Sequence, residues 1–361
     1  ACETLWKSVV TKQLYITGGI GQSQECERFS YAYDLPNESN YSETCASIGL
    51  AMWAHRMLQL DADAQYADII ERTLYNGILS GVAASGDKFF YANYMAMYPD
   101  QFKHASTVIT KPDRLSPERR QWFSCACCPA NLTRLIASVG GYMYSSSMDG
   151  VYIHLYGDST TCFPIGDSKI TLSQHGNYPW SGDIQIHIDC EKATRFGLAL
   201  RIPGWCRNYM VKLNGQPVDG VMERGYLNIR RQWNPGDTVS LLMDMPVMKI
   251  EANPKVRQDC GRIALQRGPL VYCLEEADNY PDLNDFVLQY NHGIDVENSH
   301  LFGGIIILKM SGTVTDRADW DDTLYRDHRS QRIEAQATAI PYYLWANRGM
   351  GEMIVWIRAE E

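Results

Sequence analysis

No stretch of about 18 consecutive apolar residues, the length a membrane-crossing helix requires, occurs among the 361 residues of this chain. There is no basic stripe either, and a net charge of -9 excludes a protein built to neutralise a nucleic-acid backbone. Internal repeats and low-complexity segments are missing. So is the Gly-x-Ser-x-Gly elbow of Ser-His-Asp hydrolases. The eight histidines include no metal-spaced pair, and His55, His154 and His187 fall within periodic segments that assign them structural places. Gly19-Ile20-Gly21 lacks the third glycine and the Lys-Ser/Thr of a phosphate loop. Eleven cysteines cannot all pair within the chain, and their clustering does not fit a secreted disulfide framework. A reduced, cytoplasmic protein is the expectation. The chain opens at Ala1, without Met and inside a helical pattern, and no signal peptide is visible in it.

What the chain has is concentrated between Trp122 and Leu132, where Cys125, Cys127 and Cys128 occupy three of four positions. Adjacent cysteines do not readily bridge each other, because a disulfide needs more widely separated Cα atoms. Both can turn toward one metal ion, and a thiolate held that way is a potential nucleophile. Glu43 and Cys45, spaced i and i+2 at a helix start, offer the remaining ligands. Three thiolates and one carboxylate from Glu43, Cys45, Cys127 and Cys128 point to zinc. Two other readings fit the same residues. They could be small buried cysteines at a helix contact. They could instead form a closed structural zinc site in a non-catalytic carbohydrate-binding protein.

Glu25-Cys26-Glu27 follows the glycine-rich turn Thr17–Gly21. Its two carboxyl groups would point the same way in an extended segment, as general acid–base chemistry on a glycoside could use. A solvated loop is the alternative. The aromatic content, 22 Tyr and 9 Trp in an acidic chain, suits stacking against sugar faces.

Helical periodicity marks Leu5, Trp6, Val9, Val10 and Leu14, then Thr44 to Leu60, Ala62 to Leu79, and Pro129 to Val139. Beyond about Ser145 the pattern turns to short alternating runs separated by turns such as Asn214-Gly215 and Asn234-Pro235-Gly236. Asp183 to Ile188 alternates strictly. Helices first and strands second predict an α-helical domain followed by one or two antiparallel β-sandwiches. About 145 residues hold only half the dozen helices of an α/α barrel. The helices therefore form an open array or the back portion of a longer protein.

Several blocks together resemble glycoside hydrolase family 127, the β-L-arabinofuranosidase family. They are Thr17-Gly18-Gly19-Ile20-Gly21, Glu27-Arg28-Phe29, Tyr33-Asp34-Leu35-Pro36-Asn37, Glu43-Thr44-Cys45, Phe90-Tyr91-Ala92-Asn93 and Cys125-Ala126-Cys127-Cys128-Pro129. Leu200 to Trp205, Gln266 to Leu270 and Ile340 to Tyr343 match later blocks. The resemblance runs in order along nearly the whole chain and corresponds to the later half of members nearly twice as long.

The resemblance implies an α+β multidomain fold. Residues 1–140 would be the C-terminal half of a catalytic (α/α)6 barrel. Residues 141–250 would be an inserted β-sandwich, and residues 251–361 a second one. It implies Zn2+ on Glu43, Cys45, Cys127 and Cys128, with Cys127 as nucleophile, Glu27 as acid/base and Tyr91 at the sugar. Retaining hydrolysis of terminal β-L-arabinofuranosides would follow, with a small carbohydrate or glycan as substrate and no nucleic-acid or membrane partner. The sandwich surfaces could support a homodimer. A polysaccharide lyase with a Tyr or His base is the rival enzyme class.

Overall fold

The computed structural model describes residues 1–103, 106–109, 114–148, 150–318, 320 and 323–360. The first part carries α1 (Cys2–Lys12), α2 (Thr44–Leu60), α3 (Ala64–Arg72), α4 (Asp100–Lys103) and α5 (Cys127–Ser138). α1 buries Trp6 and Val9 but leaves Leu5, expected on the apolar face, 61% exposed. Trp6, Ile48, Ala51, Ala54, Ile70, Leu132 and Leu135 join α1, α2, α3 and α5 in one core. Among the described residues, no helix is long and apolar enough to cross a membrane.

The pattern from Ala62 to Leu79 predicts a single helix. Instead α3 ends at Arg72, Thr73–Ile78 widens into a π-turn, and Leu79–Gly81 tightens into a 3-10 turn. Tertiary bonds override the periodicity here. Asn76 donates to the Pro269 carbonyl at 2.9 Å and accepts from the Val271 N–H at 2.8 Å. The Gly77 N–H reaches the Thr17 carbonyl at 2.9 Å.

The first short strand, β1 (Ala96–Met97), lies within the helical part. The strands that follow it are β2 (Tyr144–Ser147), β3 (Gly150–Ile153), β4 (Ser159–Ile165), β5 (Ser168–Gly176), β6 (Asp183–Cys190), β7 (Thr194–Arg201), β8 (Tyr209–Leu213), β9 (Gln216–Pro217), β10 (Val221–Glu223), β11 (Tyr226–Trp233) and β12 (Asp237–Met243). They form a five-stranded sheet, β10-β11-β7-β3-β2, and a six-stranded one, β4-β5-β6-β12-β8-β9. Val151, Leu198 and Ile229 from the first sheet share one core with Leu172, Ile186 and Val239 from the second. β6 and β12 alternate buried and more exposed residues, as two sheets facing across a core require.

Next come β13 (Val247–Ile250), β14 (Arg262–Arg267), β15 (Leu270–Glu275), β16 (Val287–Gln289), β17 (Ile294–Ser299), β18 (Ile305–Thr315), β19 (Arg332–Pro341), β20 (Met353–Ile354) and β21 (Ile357–Glu360). Pairing runs β15-β19-β18-β16-β21-β14, and β14 pairs back onto β15, so six strands close a ring. Leu265, Tyr272, Leu308, Met310 and Ala337 fill one side of it. Ala264, Val271, Cys273 and Ile340 face the other way, onto the helical part.

The expectation of purely antiparallel sheets is corrected at two places. β3 pairs parallel with β7, and β16 pairs parallel with β21. In the first case the chain between β3 and β7 passes through the facing sheet, and a return from there can enter alongside in the same direction.

Candidate metal centre

Two helix N-termini bring the cysteines together. Glu43 is the N-cap of α2, with φ -57° and ψ 138°, and Cys45 lies in its first turn. Cys127 and Cys128 open α5. The segment Phe90–Asn93 locks Glu43 in place. The Thr44 N–H donates to the Tyr91 carbonyl at 2.9 Å, and Asn93 Nδ2 donates to Thr44 Oγ1 at 3.0 Å. The positive ends of both helix dipoles meet at the sulfurs, which favours thiolate.

One ligand atom from each of Glu43, Cys45, Cys127 and Cys128 lies within 4.8 Å of every other. The separations are 3.5 Å for Cys45–Cys128, 3.8 Å for Cys127–Cys128, 3.4 Å for Cys127–Glu43 and 3.6 Å for Cys128–Glu43. Among the described residues this is the one group of three or more such side chains able to hold an ion. Cys128 is buried, while Cys45 and Cys127 are half-buried.

Profiles of three domains match the chain in order. The GH127 β-L-arabinofuranosidase catalytic domain covers residues 1–141, the middle domain 150–245 and the family 127 C-terminal domain 247–358. A non-reducing end β-L-arabinofuranosidase of Bifidobacterium longum subsp. longum is 40% identical over 372 aligned positions, covering 98% of this chain and 54% of that protein. The crystal structure of a GH127 β-L-arabinofuranosidase from Geobacillus stearothermophilus T6 superposes with a TM-score of 0.95 at 44% identity, over 99% of this chain and 56% of that one. A second GH127 β-arabinofuranosidase structure gives 0.87 at 37% identity, over 98% and 55%. The chain belongs to glycoside hydrolase family 127. It spans about half the length of these family 127 relatives.

Burial and mutual contact pull the thiols of this cluster in different directions. The hydrogen bond from Cys128 holds the Cys45 thiol low, against its burial. That same bond, then burial, pushes Cys128 far up. Burial pushes Cys127 up to about 12. Cys127 and Cys128 thus resist ionisation, a resistance that a cation at the cluster would relieve.

Tyr91 Oη lies 3.1 Å from Cys127 Sγ, and burial followed by that contact raises the phenol well above its usual range. The Tyr91 ring meets Phe123 edge-on at 5.6 Å and Tyr41 at 6.0 Å. Tyr41 Oη in turn donates to Glu27 Oε1 at 3.4 Å. Glu27 is therefore linked to the sulfurs through two tyrosines. The extended conformation expected for Glu25–Glu27 is not found. The segment is a 3-10 turn in which Cys26 and Glu27 take φ of 58° and 48°. Such left-handed, non-glycine positions cluster at functional sites.

Sequence reasoning missed Arg114 and Tyr41. Arg114 Nη1 pairs with Glu27 Oε1 and reaches Tyr41 Oη at 3.3 Å. No spacing or motif singles it out, and closeness to Glu43 in sequence is the only signal for Tyr41.

Proposed function

We propose that the protein is a retaining glycosidase that releases terminal β-L-arabinofuranosyl groups from a glycan, and that the metal is zinc. The observation that carries this is the four-ligand cluster beside Tyr91. A tetrahedral zinc with sulfur at about 2.3 Å has ligand–ligand edges of about 3.8 Å, slightly less where one ligand is oxygen. Four of the six edges, at 3.4–3.8 Å, suit that shell, and all six lie within 4.8 Å. Glu43, Cys45, Cys127 and Cys128 would hold the ion, which when bound keeps the thiols deprotonated at neutral pH.

The rest of the chemistry belongs to side chains. Cys127 attacks the anomeric carbon, forming the C–S bond as the glycosidic C–O bond breaks. Glu27 gives its proton to the leaving oxygen. Glu27 then takes a proton from water as that water displaces the sulfur. Tyr91, against Cys127, orients the sulfur and faces the sugar. On this reading residues 1–140 are half of an (α/α)6 barrel, followed by a two-sheet β-sandwich and then by the β domain that begins with β13. The free thiols suit a reducing compartment.

The test is a screen of aryl glycosides, β-L-arabinofuranoside included, on the full-length protein, alongside zinc measured by mass spectrometry. About one zinc per chain and turnover abolished in Cys127→Ala are expected. Zinc-loaded protein whose Cys127→Ala variant hydrolyses as well as wild type would establish a structural metal instead.

A further inference from the structure

Arg114 touches Glu27 and the ring of Tyr91, the tyrosine that meets Cys127. Its Nη1 donates to Glu27 Oε1 and, at 3.3 Å, to Tyr41 Oη, while Tyr41 Oη donates to that same Oε1 at 3.4 Å. Its guanidinium carbon lies 5.2 Å from the centroid of the Tyr91 ring, and Tyr91 Oη meets Cys127 Sγ at 3.1 Å. Residues distant in sequence thus form one connected line: Glu27, Arg114 with Tyr41, Tyr91, Cys127.

Glu27 needs such a hold. Its side chain is 47% exposed and it sits on a turn with left-handed backbone. The terminal torsion of a glutamate is broad, so a lone carboxyl group at that exposure samples many orientations. Here two donors converge on one oxygen, Oε1. Among the described residues Oε2 has no protein partner, which leaves it for the substrate.

We propose that Arg114 is the positioning residue for Glu27, pinning Oε1 with Tyr41 and resting on Tyr91 so that Oε2 is set at a fixed span from the Cys127 sulfur. The role rests on the glycosidase reading above. In the first step the proton on Oε2 moves to the glycosidic oxygen as that oxygen leaves carbon and Cys127 sulfur bonds to it. The fixed Arg114 charge then lies beside the carboxylate just formed. Arginine suits the task because its planar face rests on the Tyr91 ring while one terminal nitrogen reaches two acceptors, and an ammonium has no planar face to stack. The ion pair is half-exposed, so it adds little to stability, and its removal leaves a folded protein.

The experiment compares Arg114→Ala, Arg114→Lys, Glu27→Gln and Cys127→Ala in the full-length protein, with zinc content and thermal midpoint measured for each. Alkyl and aryl β-L-arabinofuranosides serve as substrates. Arg114→Ala should keep its zinc and midpoint and lose about 10²-fold in kcat on the alkyl glycoside, the scale of a misplaced catalytic group. The loss should be much smaller on the aryl glycoside, with KM little changed on both. Added guanidinium ion should restore part of kcat, and Arg114→Lys should fall between. Equal losses on both substrates, a change confined to KM, or no loss would overturn the role while leaving the glycosidase standing. Wild type inert toward every glycoside, or active Cys127→Ala and Glu27→Gln variants, would end the glycosidase reading and this role with it.

Discussion

At Gly18 the backbone takes φ +82°, and a Cβ built there would lie 2.7 Å from the Thr73 Cα. The turn can therefore be built only with glycine, and it carries the chain from α1 toward Glu27. Gly18→Ala should destabilise by roughly 2 kcal/mol or more, combining the left-handed strain with the clash, read as a fall in the urea midpoint. An unchanged midpoint would show that the turn relaxes freely. Glu27 allows a separate single-residue prediction from its proposed acid role. Glu27→Gln should slow alkyl glycosides by about 10²-fold or more and activated aryl glycosides far less, because general acid help matters most where the leaving group is poor. A uniform loss across aglycones would remove the acid role.

The turn Arg257–Asp259, between β13 and β14, is an element whose contribution depends on pH. Asp259 is buried and accepts from Asn37 Nδ2 at 2.8 Å. Burial lifts its carboxyl from the usual 3.8 to about 6, with the Asn37 bond and Arg262 pulling the other way. The folded chain thus holds this proton more tightly than the unfolded chain. Its stabilising effect is complete below pH about 4 and is lost as pH rises to about 6. Asp259→Asn should match wild type at pH 4 and gain on the order of 1–2 kcal/mol at pH 7, measured by urea unfolding. The same gain at both pH values would exclude the titration. Elements also show what was legible beforehand. β6 and the start of α5 follow directly from alternation and from Pro129, and the metal cluster from the pairing of Cys127-Cys128 with Glu43 and Cys45. β19 escaped notice because Ala335, Ala337 and Ala339 fill its inward face, and alanine carries no strand signal. β17 escaped because it is an edge strand exposed along most of its length. Arg114 had no local pattern at all, since its partners come together only in the folded chain.

Across the whole molecule, a few buried polar groups tie the helical part to the β regions. Arg201, at the end of β7, is fully buried. It pairs with Asp68 at 2.6 Å and with Glu71, both on α3, and Trp205 Nε1 donates to Glu71 at 3.0 Å. Arg201→Met would leave Glu71 buried without its cation. It should cost about 3–5 kcal/mol, seen as a clear drop in thermal midpoint. A drop of under 1 kcal/mol would mean that water reaches the carboxylate. The other side is tied as firmly. Arg119 Nη1 donates to the Trp345 carbonyl at 2.5 Å, Asn76 spans to Pro269 and Val271, and β1 pairs with β20 through Ala96–Ile354 and Met97–Met353. A gene fragment trimmed after residue 141 would therefore not yield a portable catalytic module. It would strip Met97 and Phe90 of their cover, leave β1 as a raw edge open to aggregation, and send the thiol cluster into solution on a scaffold missing its floor.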